Sequence, residues 1–189
     1  MNEVVKSKTW IEINQKNLRN NLSQFRNLIG SKRKLMAVVK SNAYGHGLLE
    51  VSKIASGNGA DWLGVDSIDE ALKIKNCGID LPILVLGYTL KSRLKEACEN
   101  KFRLTVYNNE TIEELGKISD SAGEKINIHI KVETGTSRQG VLEKDIKGLI
   151  DLMKKYPKIN IEGLSTHYAN IEDTTDHSYA KSQLEKFKK

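Results

Sequence analysis

The sequence predicts an α/β chain of parallel strands covered by helices, and three observations predict it. Short β-rich runs alternate with amphipathic helical patterns along all 189 residues. The strand starts fall about 25 residues apart on average, the length of one strand–helix unit. Both prolines, Pro82 and Pro157, sit just before a strand, where a helix has to have ended.

Taken in order, the amphipathic stretch Asn17–Leu28 is the first helix. The apolar run Leu35–Lys40 is the first strand, and it ends on a lysine before a short turn with two glycines, Gly45 and Gly47. Strand Trp62–Asp66 leads into the helix Ser67–Cys77, and strand Ile83–Leu86 follows Pro82. Strand Arg103–Val106 leads into the helix Asn109–Ala122, and Ile126–Val132 precedes the helix Ile146–Tyr156. After Pro157 come strand Ile159–Leu164 and a last helix, Ser178–Lys189.

Two architectures fit six such units: an open doubly wound sheet, or part of an eight-stranded barrel. Length favours the open sheet, since an eightfold barrel takes about 250 residues. The strand around Ile126 argues the other way. Ile126, Ile128, Ile130 and Val132 share one face, and Asn127, His129, Lys131 and Glu133 share the other. A wholly polar face suits a barrel wall with a functional interior. An edge strand with one face in water explains the pattern equally well.

Composition narrows the function. Apolar residues make up 39% and charged residues 29%, which is ordinary for a globular chain and excludes a disordered one. The longest apolar stretches, Leu35–Val39 and Leu81–Leu86, fall far short of the ~20 residues of a membrane helix. The N-terminus, MNEVVKSKTW, has no apolar secretion segment. Cys77 and Cys98 lie on separate predicted helices without metal-ligand spacing, so they read as reduced thiols of a cytoplasmic protein. The net charge of +6 is local: residues 1–40 hold nine basic and two acidic residues, centred on Lys32-Arg33-Lys34. No aromatics are interleaved there and no nucleic-acid motif appears, so the cluster reads as a solvated basic surface.

Chemistry concentrates in Ala37-Val-Val-Lys40-Ser-Asn-Ala-Tyr44-Gly-His46-Gly47. Strand C-terminal ends carry the ligand sites of α/β folds. A lysine there, partly desolvated, can act as a nucleophile toward an aldehyde cofactor. The same lysine could simply end the strand and reach solvent. A dinucleotide fingerprint fits poorly, because Glu50 stands at its third glycine position and four residues separate Lys40 from Gly45. His46, His129 and His177 share no metal spacing, and no metal is expected.

The segment AVVKSNAYGHG closely resembles the pyridoxal-phosphate lysine motif of alanine racemases, a fold-type III family with an N-terminal (β/α)8 barrel and a C-terminal β domain. Thr9-Trp10-Ile-Glu12-Ile resembles that family's N-terminal strand. Lys131-Val-Glu133-Thr134-Gly135-Thr-Ser-Arg138-Gln-Gly140 resembles its substrate and cofactor loop, and Ser165-Thr166-His167-Tyr168-Ala169 its strand-end histidine segment.

The resemblance implies an incomplete (β/α)8 barrel with about six of eight units present. Residues 1–14 would be the strand segment that pairs with the C-terminal β domain, and 15–189 a partial cofactor-binding barrel. The C-terminal domain itself is not recognisable in the sequence, and the ending at Lys189 resembles an interruption.

The implied activity is pyridoxal 5'-phosphate-dependent interconversion of L- and D-alanine, supplying D-alanine for peptidoglycan, in a homodimer of the full-length protein. Lys40 would form the Schiff base with the cofactor and move the α-proton on one face. Tyr44, one helical turn on, would reach the cofactor phosphate. Arg138 would bind the cofactor's phenolic oxygen and the substrate carboxylate. Lys131, carbamylated in several family members, would hold that arginine, and His167 would lie against the cofactor. The second base, a tyrosine of the partner subunit's C-terminal domain, lies outside this sequence. This chain alone is therefore expected to turn over little or no alanine. A non-catalytic pyridoxal-phosphate protein and another fold-type III racemase or decarboxylase are the alternatives. Glu133 and Thr136 stand where the family has Asp and Met, which bears on substrate preference.

Overall fold

The computed structural model describes residues 8–189, and among them it forms six parallel strands, each followed by helix. The chain divides into two compact units, Met1–Ile83 and Leu84–Lys189.

In the first unit, helix α1 (Gln15–Ile29) begins at Asn14, whose side chain accepts the backbone N–H of Asn17. Arg33 donates to the Ile29 carbonyl, so part of the basic cluster satisfies the end of α1, where the helix dipole favours cations. Strand β1 (Met36–Val38) pairs in parallel with β2 (Trp62–Val65). Between them lie a single turn, α2 (Lys40–Tyr44), and helix α3 (Leu48–Ser56). Helix α4 (Ile68–Asn76) follows β2 and starts at Ser67, whose hydroxyl accepts the Glu70 N–H. Leu63, Val65, Ala71 and Ile74 are fully enclosed and form this unit's core.

Asp61 ties the entry of β1 to α1. Its carboxylate accepts Arg26 at 2.5 Å and the Leu35 N–H at 2.7 Å. The Leu35 N–H, with Arg26 next, holds the carboxyl below its usual range.

In the second unit, β3 (Ile83–Val85, from Leu84 on), β4 (Arg103–Val106), β5 (Ile126–Lys131) and β6 (Ile159–Ser165) pair in chain order, all parallel. Helices α5 (Leu94–Glu99), α6 (Asn109–Ala122), α7 (Ile146–Met153) and α8 (Ser178–Lys188) follow them in turn. Helix α6 starts where the sequence says it should, at Asn108, whose side chain accepts the Thr111 N–H. Strand β5 alternates as expected: Ile126, Ile128, Ile130 and Val132 are buried, and the polar residues between them are half-buried. It lies between β4 and β6, so the edge-strand explanation of its polar face does not hold. Among the described residues β6 is paired on one side only, and its Leu164 is 58% exposed.

All six expected strands form. Residues 9–13, whose resemblance is to a strand that pairs with the C-terminal domain, join no ladder among the described residues, and Trp10 and Ile11 stand 60% and 74% exposed. A strand needs a neighbour to take its backbone hydrogen bonds, and the resemblance places that neighbour in the C-terminal domain. The expected segment's first seven residues lie outside the described ones. No described helix is long and apolar enough to cross a membrane.

Candidate functional site

The candidate residues lie at the C-terminal ends of strands in both units. In the first, β1 delivers its chain through the buried Val39 to Lys40, whose side chain is 34% exposed. Its Nζ lies 3.9 Å from Oδ1 of Asp66, the residue just after β2. The turn that follows is left-handed. Ser41, Asn42, Ala43 and Tyr44 have φ of 53°, 56°, 52° and 55°, a region that L-residues visit at a cost and seldom in succession. The expected helical turn from Lys40 to Tyr44 therefore exists with the opposite hand, and this leaves the Tyr44 ring mostly exposed.

Surrounding groups over-determine that turn. The Ala43 N–H donates to the Val39 carbonyl at 2.8 Å, and the Asn42 side chain accepts the Leu48 N–H at 2.8 Å. Glu70 accepts the Asn42 N–H with one carboxylate oxygen (3.1 Å) and the Asp66 N–H with the other (2.9 Å). One side chain thus fixes the backbone on both sides of the Lys40–Asp66 pair. Sequence reasoning missed Glu70, although the Ser67-x-x-Glu70 spacing is a capping-box signal that could have found it.

In the second unit, the polar face of β5 is laid out in three steps. Asn127 accepts from Asn160 at 2.8 Å. His129 lies 3.5 Å from Glu162, which also takes both a 3.1 Å and a 3.4 Å hydrogen bond from Arg103. Burial holds His129 below its ordinary value, with Arg103 adding to it against the pull of Glu162. Lys131 then donates to Gln139 at 3.4 Å, and Gln139 to the Tyr107 hydroxyl at 3.4 Å.

Arg138 sits on the loop after β5. This loop is wound around the carboxylate of Glu133, which accepts the N–H groups of Gly135 (2.5 Å) and Arg138 (3.3 Å). Burial pushes that carboxyl up, but the N–H groups of Ser137, Gly135, Arg138 and Thr136 outweigh it and hold it low. The loop closes where Val141 bridges to Val132, a contact that Gly140 permits: at its φ of 146°, a Cβ would lie 2.5 Å from the Glu133 nitrogen.

Arg138 itself is exposed, and no ion pair or hydrogen bond to its guanidinium is found among the described residues. Gln139, the next residue along the loop, is the one that Lys131 Nζ meets.

His167 follows β6 with an exposed side chain, and its carbonyl accepts the hydroxyl of Thr136 at 2.6 Å. The structure thus joins the Arg138 loop to the His167 segment. The ties of Thr136 to His167 and of Gln139 to Tyr107 gave no sequence signal, because these partners are 31 and 32 positions apart in the chain. A cavity of about 700 Å³ in this unit lies at the opposite, N-terminal ends of β4 and β5, between Cys98, Phe102 and Ile126, and Lys131, Arg138 and His167 are not among the residues that line it. No group of three metal-ligating side chains occurs among the described residues.

The chain is similar to known proteins over nearly its whole length. The profile of the family described as alanine racemase, N-terminal domain, matches residues 13–189. An alanine racemase of Methanococcus maripaludis is 42% identical over 94% of this chain and 48% of its own length. Among solved structures, the alanine racemase of Clostridium difficile 630 in complex with cycloserine has a TM-score of 0.90 at 36% identity, over 98% of this chain and 51% of that one. The Bacillus anthracis alanine racemase with bound L-Ala-P has a TM-score of 0.89 at 35% identity, over 98% and 48%. The chain thus spans about half the length of the curated relatives it matches. The fold is that of an incomplete (β/α)8 barrel, and length alone misled toward the open sheet.

Proposed function

From the premise that the chain belongs to the alanine racemase family through its N-terminal domain, we propose that it is the lysine-bearing portion of a pyridoxal 5'-phosphate-dependent alanine racemase. The observation that carries this reading is Lys40, held at the mouth of β1 on a strained left-handed turn with an acidic partner 3.9 Å away. The residues fit such a cofactor. A primary amine ends the strand, and a Cβ at Gly45 would meet nothing within 4 Å, so the turn has open space beside it.

Bound pyridoxal phosphate supplies an electron sink for the charge left when an amino acid loses its α-proton. Lys40 would hold the cofactor by its aldehyde end and would carry the α-proton on one face of the substrate. Asp66 keeps the Lys40 amine at the strand mouth, and Glu70 holds the backbone beneath both. Arg138 offers a planar fork suited to a carboxylate, and its exposure leaves it accessible to one. The loop beneath it is tied to Glu133, whose carboxylate accepts the Gly135 and Arg138 N–H groups. The substrate is alanine, and the full-length protein works in the cytoplasm as a homodimer. Full turnover requires the half of the relatives' length that this chain does not span.

The test is to add pyridoxal phosphate to the purified chain, record the absorption spectrum, reduce with borohydride and map the labelled peptide by mass. A visible band trapped on Lys40 supports the reading. A label on other lysines, or no band, refutes the assignment of the cofactor to this half of the protein.

A further inference from the structure

The side chain of Gln183, on α8, is 1% exposed, and no part of the function above uses it. A primary amide so deeply enclosed is costly unless its hydrogen bonds are met, and here they are met by two loops at once. Its Nε2 donates to Thr134 Oγ1 (3.2 Å) on the Arg138 loop and to the His167 carbonyl (3.0 Å), while its Oε1 accepts the Ala169 N–H (2.8 Å). The orientation is forced: flipped, the amide would set its oxygen against the His167 carbonyl and its NH2 against the Ala169 N–H.

One turn earlier, the Tyr179 hydroxyl donates to the Gly135 carbonyl at 2.7 Å. A Cβ at Gly135 would lie 2.7 Å from that hydroxyl and 3.3 Å from the Gln183 side chain, so the glycine is what lets α8 approach. Thr134 and Thr166 share a further hydrogen bond of 2.7 Å between the same two loops.

We propose that Gln183 is a positioning residue: it sets the Arg138 loop and the His167 segment in one fixed arrangement, with Tyr179 as its auxiliary. The proposal deepens the racemase reading and rests on it for the ligand, but the clamp itself is readable without any ligand. An apolar side chain would fill the same space and leave the Ala169 N–H and one acceptor site of the Thr134 hydroxyl unmet. A glutamate of the same shape would present an oxygen to the His167 carbonyl.

The test compares the wild-type chain with Gln183→Glu and Tyr179→Phe in two measurements. Hydrogen exchange is expected to rise about tenfold in residues 133–141 and 166–169 of Gln183→Glu while β4 and β5 stay unchanged. In titrations with pyridoxal phosphate, the apparent Kd is expected to rise about tenfold, with the borohydride-trapped yield on Lys40 at saturation unchanged. A merely structural role would raise exchange throughout the second unit and lower the trapped yield along with the affinity.

Tyr179→Phe removes one hydroxyl, and a smaller rise confined to 133–141 is expected of it. That variant decides the matter if Gln183→Glu does not fold. Unchanged exchange in both loops, or a rise spread over β4 and β5, overturns the clamp. A wild-type chain that captures no cofactor overturns the racemase reading, and the exchange pattern still judges the clamp.

Discussion

Replacing Ser41 by glycine should make this protein more stable, which is the reverse of what a glycine usually does inside an element. Ser41 holds φ at 53°, where a Cβ crowds the following carbonyl at a cost of about 1–2 kcal/mol. Glycine carries no such penalty, but it widens the unfolded ensemble at a cost of about 0.4–1 kcal/mol. The Ser41 side chain is exposed, so little packing is lost. The balance is a gain of about 0.5–1 kcal/mol, which for a chain of this size is a rise of about 1–4 °C in Tm. Thermal and urea unfolding followed by circular dichroism measure it. Ser41→Val is the control, since a β-branched side chain at positive φ should lower Tm instead. The more stable glycine variant should also capture pyridoxal phosphate less tightly, because a looser turn aims Lys40 and Tyr44 less well. If Ser41→Gly unfolds at a lower temperature or lower urea concentration than wild type, the left-handed turn stores no strain and the reasoning fails.

The remaining tests address acid stability, the two cationic residues and the Arg138 loop. Asp61 has its carboxyl lowered by the Leu35 N–H and Arg26, so it binds its proton more readily unfolded than folded. Its contribution is full above the unfolded value of about 3.9 and drains as pH falls through the lower folded value; urea midpoints of Asp61→Asn measured from pH 7 to pH 3 should fall less steeply than those of wild type. Lys40→Ala should abolish borohydride labelling at that peptide while changing stability by no more than about 0.5 kcal/mol, since the side chain is partly exposed. Arg138→Ala should leave the Lys40 label and weaken cofactor retention on dialysis; identical behaviour of the two variants would refute their separate roles. Gly140→Ala should cost about 2 kcal/mol or more by urea unfolding, because its Cβ would meet backbone atoms of Val132 and Glu133 at 2.8 and 2.5 Å.

Much of the fold is written in local pattern. Arg103–Val106 and Asn109–Ala122 form with the expected bounds, because a compact apolar run and an asparagine cap are local signals. The helix expected to reach Tyr156 stops at Met153, since Pro157 pushes the residue before it out of helical conformation. The left-handed turn was not legible: Ser, Ala and Tyr have no propensity for positive φ, and the turn exists because Glu70, Asn42 and Val39 hold it from outside. The candidate residues were legible through a family likeness, and their supports were not. Glu70, Thr136 and Gln183 owe their roles to neighbours 28, 31 and 49 positions away in the chain, a distance at which periodicity carries no information.

The strand order of the second unit bears on how the molecule is made. From β3 to β6 each strand pairs with the one before it in the chain, and no pairing waits for a segment not yet synthesised. Chain leaving the ribosome can therefore add strands singly at one growing edge, with each loop closed over a few tens of residues. Among the described residues β6, bonded on one side and carrying an exposed Leu164, is the last edge that such accretion lays down.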